Sequence, residues 1–463
     1  MIAAKSLASA RAVTAAILVA GAIVSLAVNY PGHMEFDGLM ELAEGRSGIY
    51  GNWHPPIVSW LLGLSAALRG DAWLFVLFDT VLGIGAFLVL LRSRRIPTWK
   101  TALAALAVVA LPQFFLFPSI VWKDVLFANA TIAGFCCLSL VGEEAGGKTR
   151  LLLPAAIILL SLAVLARQNG IVILPCAALA YGLAAGRQDH SILRRSLLLA
   201  LAVFTVAFLG HRLLQLRASQ ELGPARQFEY LQIYDIAGML QAQPKLKLDK
   251  LEAQAPAMAR FLRNDGRNLY TPAQQDPVVF DPRIRPLIFS SIDAVAAQWR
   301  ELVAVHPLIY LKVRARDFGW LFLQQHPERC LTYTLGVLGP EKQLKLSGQA
   351  QRYDDRDAWL EDNYAQPLVG TPAFSHVFFA LAGLACLIVL LMRRQPSDWP
   401  IAGMLVASGL YVLSYFFIGV ACEYRYLFVL DAATLAAIFY LSFDWLAGPG
   451  NPVQHAVHGY EIS

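Results

Sequence analysis

The residues most able to do chemistry are acids and bases set at the ends of long apolar runs. Asp37 lies in Glu35-Phe36-Asp37-Gly38, just after the first such run. A carboxylate close to lipid but reached by water suits a general base, taking the proton of an attacking hydroxyl. Its plainer reading is a helix N-cap or a solvated loop acid, with Glu35, Glu41 and Glu44 as neighbouring competitors. His54-Pro55-Pro56 comes next, and two prolines fix the backbone where a helix begins. The helix N-terminus favours an anion there, so His54 reads as a phosphate contact or as a turn histidine. Lys123 and Asp124 open another apolar run. Lysine opposes the helix dipole at that position, so it either snorkels to headgroups or binds a phosphate. Arg167, in the tight turn Ala166-Arg167-Gln168-Asn169-Gly170, admits the same two readings. Arg425, in Glu423-Tyr424-Arg425-Tyr426, reads as an arginine anchor in an aromatic belt, as a partner of Glu423, or as a third phosphate-binding cation. Asp79, inside an apolar run, is a functional candidate by default or a carboxylate bonded to a neighbouring helix; Asp431 is a similar case. No HExxH, GxSxG, P-loop or dinucleotide fingerprint is present, and the spacing of Asp37, Glu35 and His54 matches no recognised metal motif, although those side chains could hold a divalent cation.

What must position these groups follows from composition. Of 463 residues 57% are hydrophobic and 15% charged, more apolar than water-soluble domains tolerate. The runs are continuous rather than alternating, which points to helices and not to a barrel. The net charge of +5 comes from residues flanking these runs rather than from a basic strip interleaved with aromatics, so nucleic acid is a poor partner and the bilayer a good one.

Ten spans are expected, at about 12–30, 72–91, 101–118, 122–141, 151–166, 170–186, 197–216, 373–392, 399–420 and 427–446. The first reads as an uncleaved span rather than a signal peptide. With the N-terminus inside, the inner loops hold thirteen Lys and Arg, including Arg92, Arg95, Lys148, Arg187 and Arg393. The short outer loops hold five: Arg46, Arg69, Lys123, Arg167 and Arg425. The bias sets both termini in the cytoplasm. Asp37, His54, Lys123, Arg167 and Arg425 then share the outer face.

This divides the chain into an N-terminal membrane domain (1–216) whose first outer loop (31–71) carries the chemistry, an outer segment (217–372), C-terminal spans (373–446) and a cytoplasmic tail (447–463). Ile57–Leu68 is apolar but too short to span, and reads as an interfacial helix. In the outer segment Ile292, Val295, Trp299, Leu302 and Val303 share one helical face, with Ser290 or Ser291 as its cap, and Pro307 starts a second helix. Cys330 and Cys422 both fall outside, but spacing alone does not bring them together, and they are read as unpaired.

An acid shortly after the first span, then His-Pro-Pro opening an interfacial helix, resembles the GT-C superfamily of membrane glycosyltransferases that use polyprenyl-phosphate sugars. Phe36-Asp37-Gly38 and His54-Pro55-Pro56-Ile57 are similar to the Phe-Asp-Glu and His-Pro-Pro-Leu elements of protein O-mannosyltransferases, with Gly38 in place of the second acid. Lipid A aminoarabinose transferases carry lysine in place of the histidine. The resemblance implies an all-α polytopic membrane protein, a GT-C-like bundle of about ten helices with interfacial helices in its first outer loop and a larger, mostly helical outer segment. It implies Asp37 as catalytic base and His54 as donor-phosphate contact, with Lys123, Arg167 and Arg425 matching a looser pattern of outer cations. Glu35, Asp79, Asp124, Tyr424 and Tyr426 form a second tier. The expected reaction is inverting transfer of a sugar from a polyprenyl-phosphate donor to a hydroxyl of a cell-envelope glycan, lipid or protein, at the periplasmic face of a bacterial inner membrane.

Two other classes remain open from sequence. A polysaccharide polymerase or ligase shares lipid carriers and outward arginines but has no need of the acid and His-Pro-Pro pair. A lipid-linked sugar transporter or flippase favours internal repeats and polar groups at mid-membrane, where Asp79 alone fits.

Overall fold

The computed structural model describes residues 2–443 apart from 52, 94, 142–150, 186–188, 217–223, 289 and 325. Arg94, Lys148, Arg150, Arg187 and the expected tail at 447–463 therefore lie outside the described residues.

The first half of the chain forms α1 (Ile2–Val28), α2 (Phe36–Ser47), α3 (Pro56–Arg69), α4 (Trp73–Leu90), α5 (Trp99–Ala110), α6 (Pro112–Phe115), α7 (Lys123–Val141), α8 (Leu152–Ala166), α9 (Ile173–Ala185) and α10 (Asp189–Gln215). Among the described residues eight helices are long and apolar enough to cross a bilayer, or nine if a bent pair counts as one span. The expected ten are thus corrected in two places. At 101–118 the chain turns by 67° between Trp99–Ala110 and Pro112–Ser119, because Pro112 holds Leu111 extended at ψ 148°. The fifth expected span, Leu152–Ala166, has 15 residues. That length reaches about 22 Å, less than the ~30 Å of hydrocarbon.

α7 is the hub. It is apolar on every face beyond its first turn and buried along almost its whole length, packed by α4, α8 and α9 and by α15 (Asp398–Ile418) and α16 (Phe428–Leu441), the last two long helices among the described residues. α14 (His376–Arg393) packs outside α15 and α16. At one end of the bundle Arg11 donates to the Ser93 and Arg95 carbonyls, while Arg95 pairs with Asp398 at 2.7 Å. Arg393 lies 3.6 Å from Asp398 at the same end. These are residues the charge bias assigns inside, and they stand opposite the end bearing Asp37.

Two bodies cover the Asp37 end. α11 (Pro224–Ala242), α12 (Ile292–Val305), α13 (Pro307–Leu323) and the short helices between them enclose their own core, with Ile233, Tyr234, Leu251, Val295, Leu302 and Val313 inside. The apolar face read from 292–303 is used, but its cap is not as expected. Ser291 occupies the N-cap position, yet its hydroxyl and that of Ser290 both donate back to the Leu287 carbonyl, at 2.9 and 2.7 Å. The second body, 331–371, is tied to the start of α2. Met34 donates to the Gly336 carbonyl at 2.8 Å and accepts from Leu338 at 3.0 Å.

Cys330 and Cys422 form a disulfide, which corrects their reading as unpaired. What brings them together is the segment 419–424, threaded between the two bodies. The Gly419 carbonyl accepts from Arg314 Nη1 at 2.6 Å, Cys422 N donates to Ala273 O at 2.7 Å, and Tyr424 N donates to Leu331 O at 2.9 Å.

Candidate active site

The site is assembled by three backbone devices. His33 N donates to Ser119 O at 2.8 Å and Val121 N donates to His33 O at 2.9 Å, so the chain entering α2 lies beside the chain entering α7. Glu35 is the N-cap of α2 and accepts from Asp37 N at 3.0 Å, leaving Asp37 in the first turn with its carboxylate turned inward. Gly38 follows where α2 meets Val121: a Cβ there would lie 3.1 Å from the Val121 carbonyl, which leaves little room for a second acid side chain. Finally, α2 and α3 touch backbone to backbone. A Cβ on Gly45 would fall 2.3 Å from Ser59 O, and one on Gly63 would fall 2.4 Å from Gly45 O. This contact fixes the distance between Asp37 and His54.

Lys123 occupies the centre. Its Nζ donates to Asp37 Oδ2 at 3.1 Å, to Glu41 Oε1 at 3.4 Å and to His54 Nδ1 at 3.0 Å. An ammonium has three protons, and three acceptors match them. His54 Nδ1 is therefore an acceptor, and the ring proton sits on Nε2, 4.0 Å from Asp37 Oδ1. Burial, then Lys123, lowers His54 to about 3, so the imidazole is neutral and offers an N–H rather than a positive charge. Burial also pushes Glu41 up to about 8, which keeps it protonated at neutral pH although Lys123 pulls the other way.

Arg425 closes the opposite side. Nη2 donates to Asp37 Oδ2 at 2.8 Å, Nη1 to Glu35 Oε1 at 2.9 Å and Nε to Glu423 Oε2 at 2.5 Å. Trp122 Nε1 donates to the same Glu35 oxygen at 3.2 Å. Burial pushes the Asp37 carboxyl up, but Lys123 and Arg425 outweigh it and hold the group well below the carboxylate range. Asp37 keeps 21% of its side chain exposed, against 1% for Glu41 and 8% for Lys123, so it is the acid of this trio that solvent reaches.

A cleft of about 480 Å³ opens beside this cluster, lined by Trp53, Pro55, Lys123, Arg167, Asn169, Tyr415 and Tyr426, among others. Arg167 pairs with Asp124, donates to Tyr415 OH at 2.5 Å and to Tyr411 OH at 3.3 Å, and lies 5.4 Å from the Tyr426 ring centre. Arg425 is 5.6 Å from the same ring. A second, apolar groove of about 410 Å³ runs along Tyr50, Ile57, Trp60, Gly210, Leu213 and Leu214, between α3 and α10.

Of the residues singled out in the sequence, Asp37, His54, Lys123, Arg167 and Arg425 come together, with Glu35, Asp124 and Tyr426 around them. Tyr424 does not join them: it turns into the bundle, donating to Asp431 Oδ2 at 2.5 Å and accepting from Gln113 at 2.9 Å. Asp79 is buried against Asn129 at 2.9 Å, away from the cleft. Tyr411 and Tyr415 were not anticipated. Their spacing of four residues near the end of an apolar span is the one sequence signal that points to them. Among the described residues no group of three or more His, Cys, Asp or Glu is placed to hold a metal ion.

No family model matches the chain, and no curated protein matches its sequence. Among solved structures it is similar to the archaeal oligosaccharyltransferase AglB from Archaeoglobus fulgidus, in complex with an inhibitory peptide and a dolichol-phosphate. The identity is 14% and the TM-score 0.41, over 92% of this chain and 50% of that one. The chain thus spans about half the length of that structure.

Proposed function

We propose that this protein is an inverting glycosyltransferase of the GT-C type, moving a sugar from a polyprenyl-phosphate donor to a hydroxyl of a cell-envelope glycan, lipid or protein on the non-cytoplasmic side. The observation that carries the reading is the meeting of Asp37 with Lys123, His54 and Arg425 at the edge of a cleft that Arg167 also lines. One carboxylate and a set of fixed N–H donors at a bilayer boundary are what transfer from a lipid phosphate requires.

The phosphate linkage is already a good leaving group, so no nucleotide is needed. In the transition state positive charge develops on the sugar ring and negative charge on the departing phosphate. Lys123, Arg167 and Arg425 stabilise that negative charge, and they do so more strongly in a low-dielectric cleft than in water. His54 contributes through its Nε2–H. Asp37 takes the proton of the acceptor hydroxyl, which attacks the anomeric carbon opposite the phosphate and inverts it. The apolar groove beginning at Ile57, two residues from the cleft-lining Pro55, suits the isoprenoid tail. The Cys330–Cys422 disulfide suits an oxidising compartment on the Asp37 side.

The test is to reconstitute the full chain in liposomes with a polyprenyl-phosphate sugar and measure released carrier phosphate. Release that depends on protein supports transferase action; donor binding or movement across the bilayer without release supports a transporter instead.

A further inference from the structure

Every side-chain nitrogen of the two cations nearest Asp37 is already engaged by an acceptor of the protein. Lys123 directs its three protons to Asp37, Glu41 and His54. Arg425 directs Nε, Nη1 and Nη2 to Glu423, Glu35 and Asp37. Each Nη of Arg425 carries a second N–H, but the position that bridges the two cations is occupied. Asp37 Oδ2 takes Lys123 at 3.1 Å and Arg425 at 2.8 Å, so a phosphate bridging the same two nitrogens must take its place.

The alternatives are held more firmly. Glu41 is 1% exposed and packed in the wall, and Glu35 is pinned by Asp37 N and Trp122 Nε1. Among the described residues Asp37 Oδ2 is held by the two cations alone, while Oδ1 faces His54 Nε2 at 4.0 Å. Asp37 is also the more exposed of Lys123's two acid partners.

From this geometry we infer that the donor's phosphate displaces Asp37 from Lys123 and Arg425, so that the base is freed only once the donor is seated. The inference rests on the donor-site reading above. With the phosphate in place, Asp37 loses its counter-cations and keeps acidic neighbours: Glu35 at the cap of its own helix, Asp124 next to Lys123, and Asp276 from the covering body, while Glu41 and Glu423, both raised by burial, add little charge. Neutral His54 adds no positive charge, and the charge of Arg167 is paired with Asp124. Loss of cations beside acids makes a carboxylate more basic. The acceptor oxygen then bonds to the anomeric carbon and its proton passes to Asp37. The bond from that carbon to the phosphate oxygen breaks with its electron pair on the phosphate, where Lys123 and Arg425 already sit. When the carrier phosphate leaves, both cations return to Asp37 and its proton goes to water.

The experiment titrates purified full-length protein with farnesyl methyl phosphate, a lipid phosphodiester whose own charge is constant near neutral pH. Asp37→Asn removes the competing carboxylate, and the expected result is binding roughly tenfold tighter than wild type. Equal or weaker binding by a folded Asp37→Asn protein overturns the inference. A second reading uses wild type alone: calorimetry at about pH 4.5 in two buffers of different ionisation enthalpy. At that pH, just above the ordinary carboxyl value, Asp37 released from its cations regains part of a proton, whereas at neutral pH it stays an ionised base. Proton uptake on binding is expected, and binding without uptake overturns the inference even if the variant does not fold. Where wild type fails to bind the probe at all, the donor-site reading itself falls; binding without displacement leaves that reading standing and removes only the gating of the base.

Discussion

Arg425 lies 388 positions after Asp37 in the chain and places Nη2 2.8 Å from its carboxylate. The ion pair joins the first loop to the turn before the last long helix, so the site exists only when the whole bundle has closed. Arg425 is also planar, and its three nitrogens face three different acids. A lysine keeps the charge but cannot span them. Arg425→Lys is expected to lower turnover by about a hundredfold while the protein remains folded, as judged by kcat on a polyprenyl-phosphate sugar beside a melting curve.

The backbone contact between Gly45 and Gly63 gives a prediction remote from the chemistry. A Cβ at either position meets backbone atoms that cannot move aside as a side-chain tip can. Gly63→Ala is expected to push α3 away from α2, carry His54 off Lys123 and cut kcat by about a hundredfold, since small misplacements at a reacting centre are that costly. Normal turnover by the Gly63→Ala protein would show that this contact does not set the site.

The disulfide closes a loop with a sequence separation of 92 and anchors the segment leading to Arg425. Replacing Cys330 and Cys422 together by serine is expected to cost about 2–4 kcal/mol of stability. In thermal unfolding the double variant should melt lower than wild type, and reductant should lower wild type toward it while leaving the variant unchanged.

The pH dependence of stability follows from the same cluster. Glu41 is raised from 4.5 to about 8 and Glu423 from 4.5 to about 7, so in the folded state both hold protons that the unfolded chain has lost. Their contributions are complete below about pH 4.5 and decline as pH rises through the folded values. His54, lowered from 6.5 to about 3, acts in the opposite sense: its contribution grows with pH and is complete above 6.5. Asp37, also lowered, contributes above its ordinary 3.8 and loses that contribution in acid. Between pH 7 and 8 Glu41 is the member of the cluster still changing. Wild-type Tm should fall over that interval, and Glu41→Gln should flatten the fall.

Much of this was legible in the sequence because lipid imposes simple rules. Apolar runs gave the helices, and the Lys and Arg bias placed Asp37, His54, Lys123, Arg167 and Arg425 on one face, where the fold does bring them together. Four features were not legible, each for a physical reason. The bend at Pro112 comes from one proline in an otherwise apolar run, and membrane spans tolerate proline without breaking, so composition reads 101–118 as continuous. The Cys330–Cys422 bond depends on two bodies clasping residues 419–424, a contact between distant parts of the chain. Tyr424 and Tyr426 look equivalent beside Arg425, but the backbone turn sends one toward Asp431 and the other to the cleft wall. The neutrality of His54 likewise comes from burial and from Lys123, neither of which spacing reveals.

The central claim is that Asp37 takes the proton of the attacking hydroxyl in transfer from a lipid phosphate. It is tested most directly by single-turnover transfer in liposomes with a polyprenyl-phosphate sugar, comparing wild type with a folded Asp37→Asn protein. The account predicts that Asp37→Asn still binds the donor but transfers about 10²–10⁴-fold more slowly. Transfer at the wild-type rate by Asp37→Asn would contradict it.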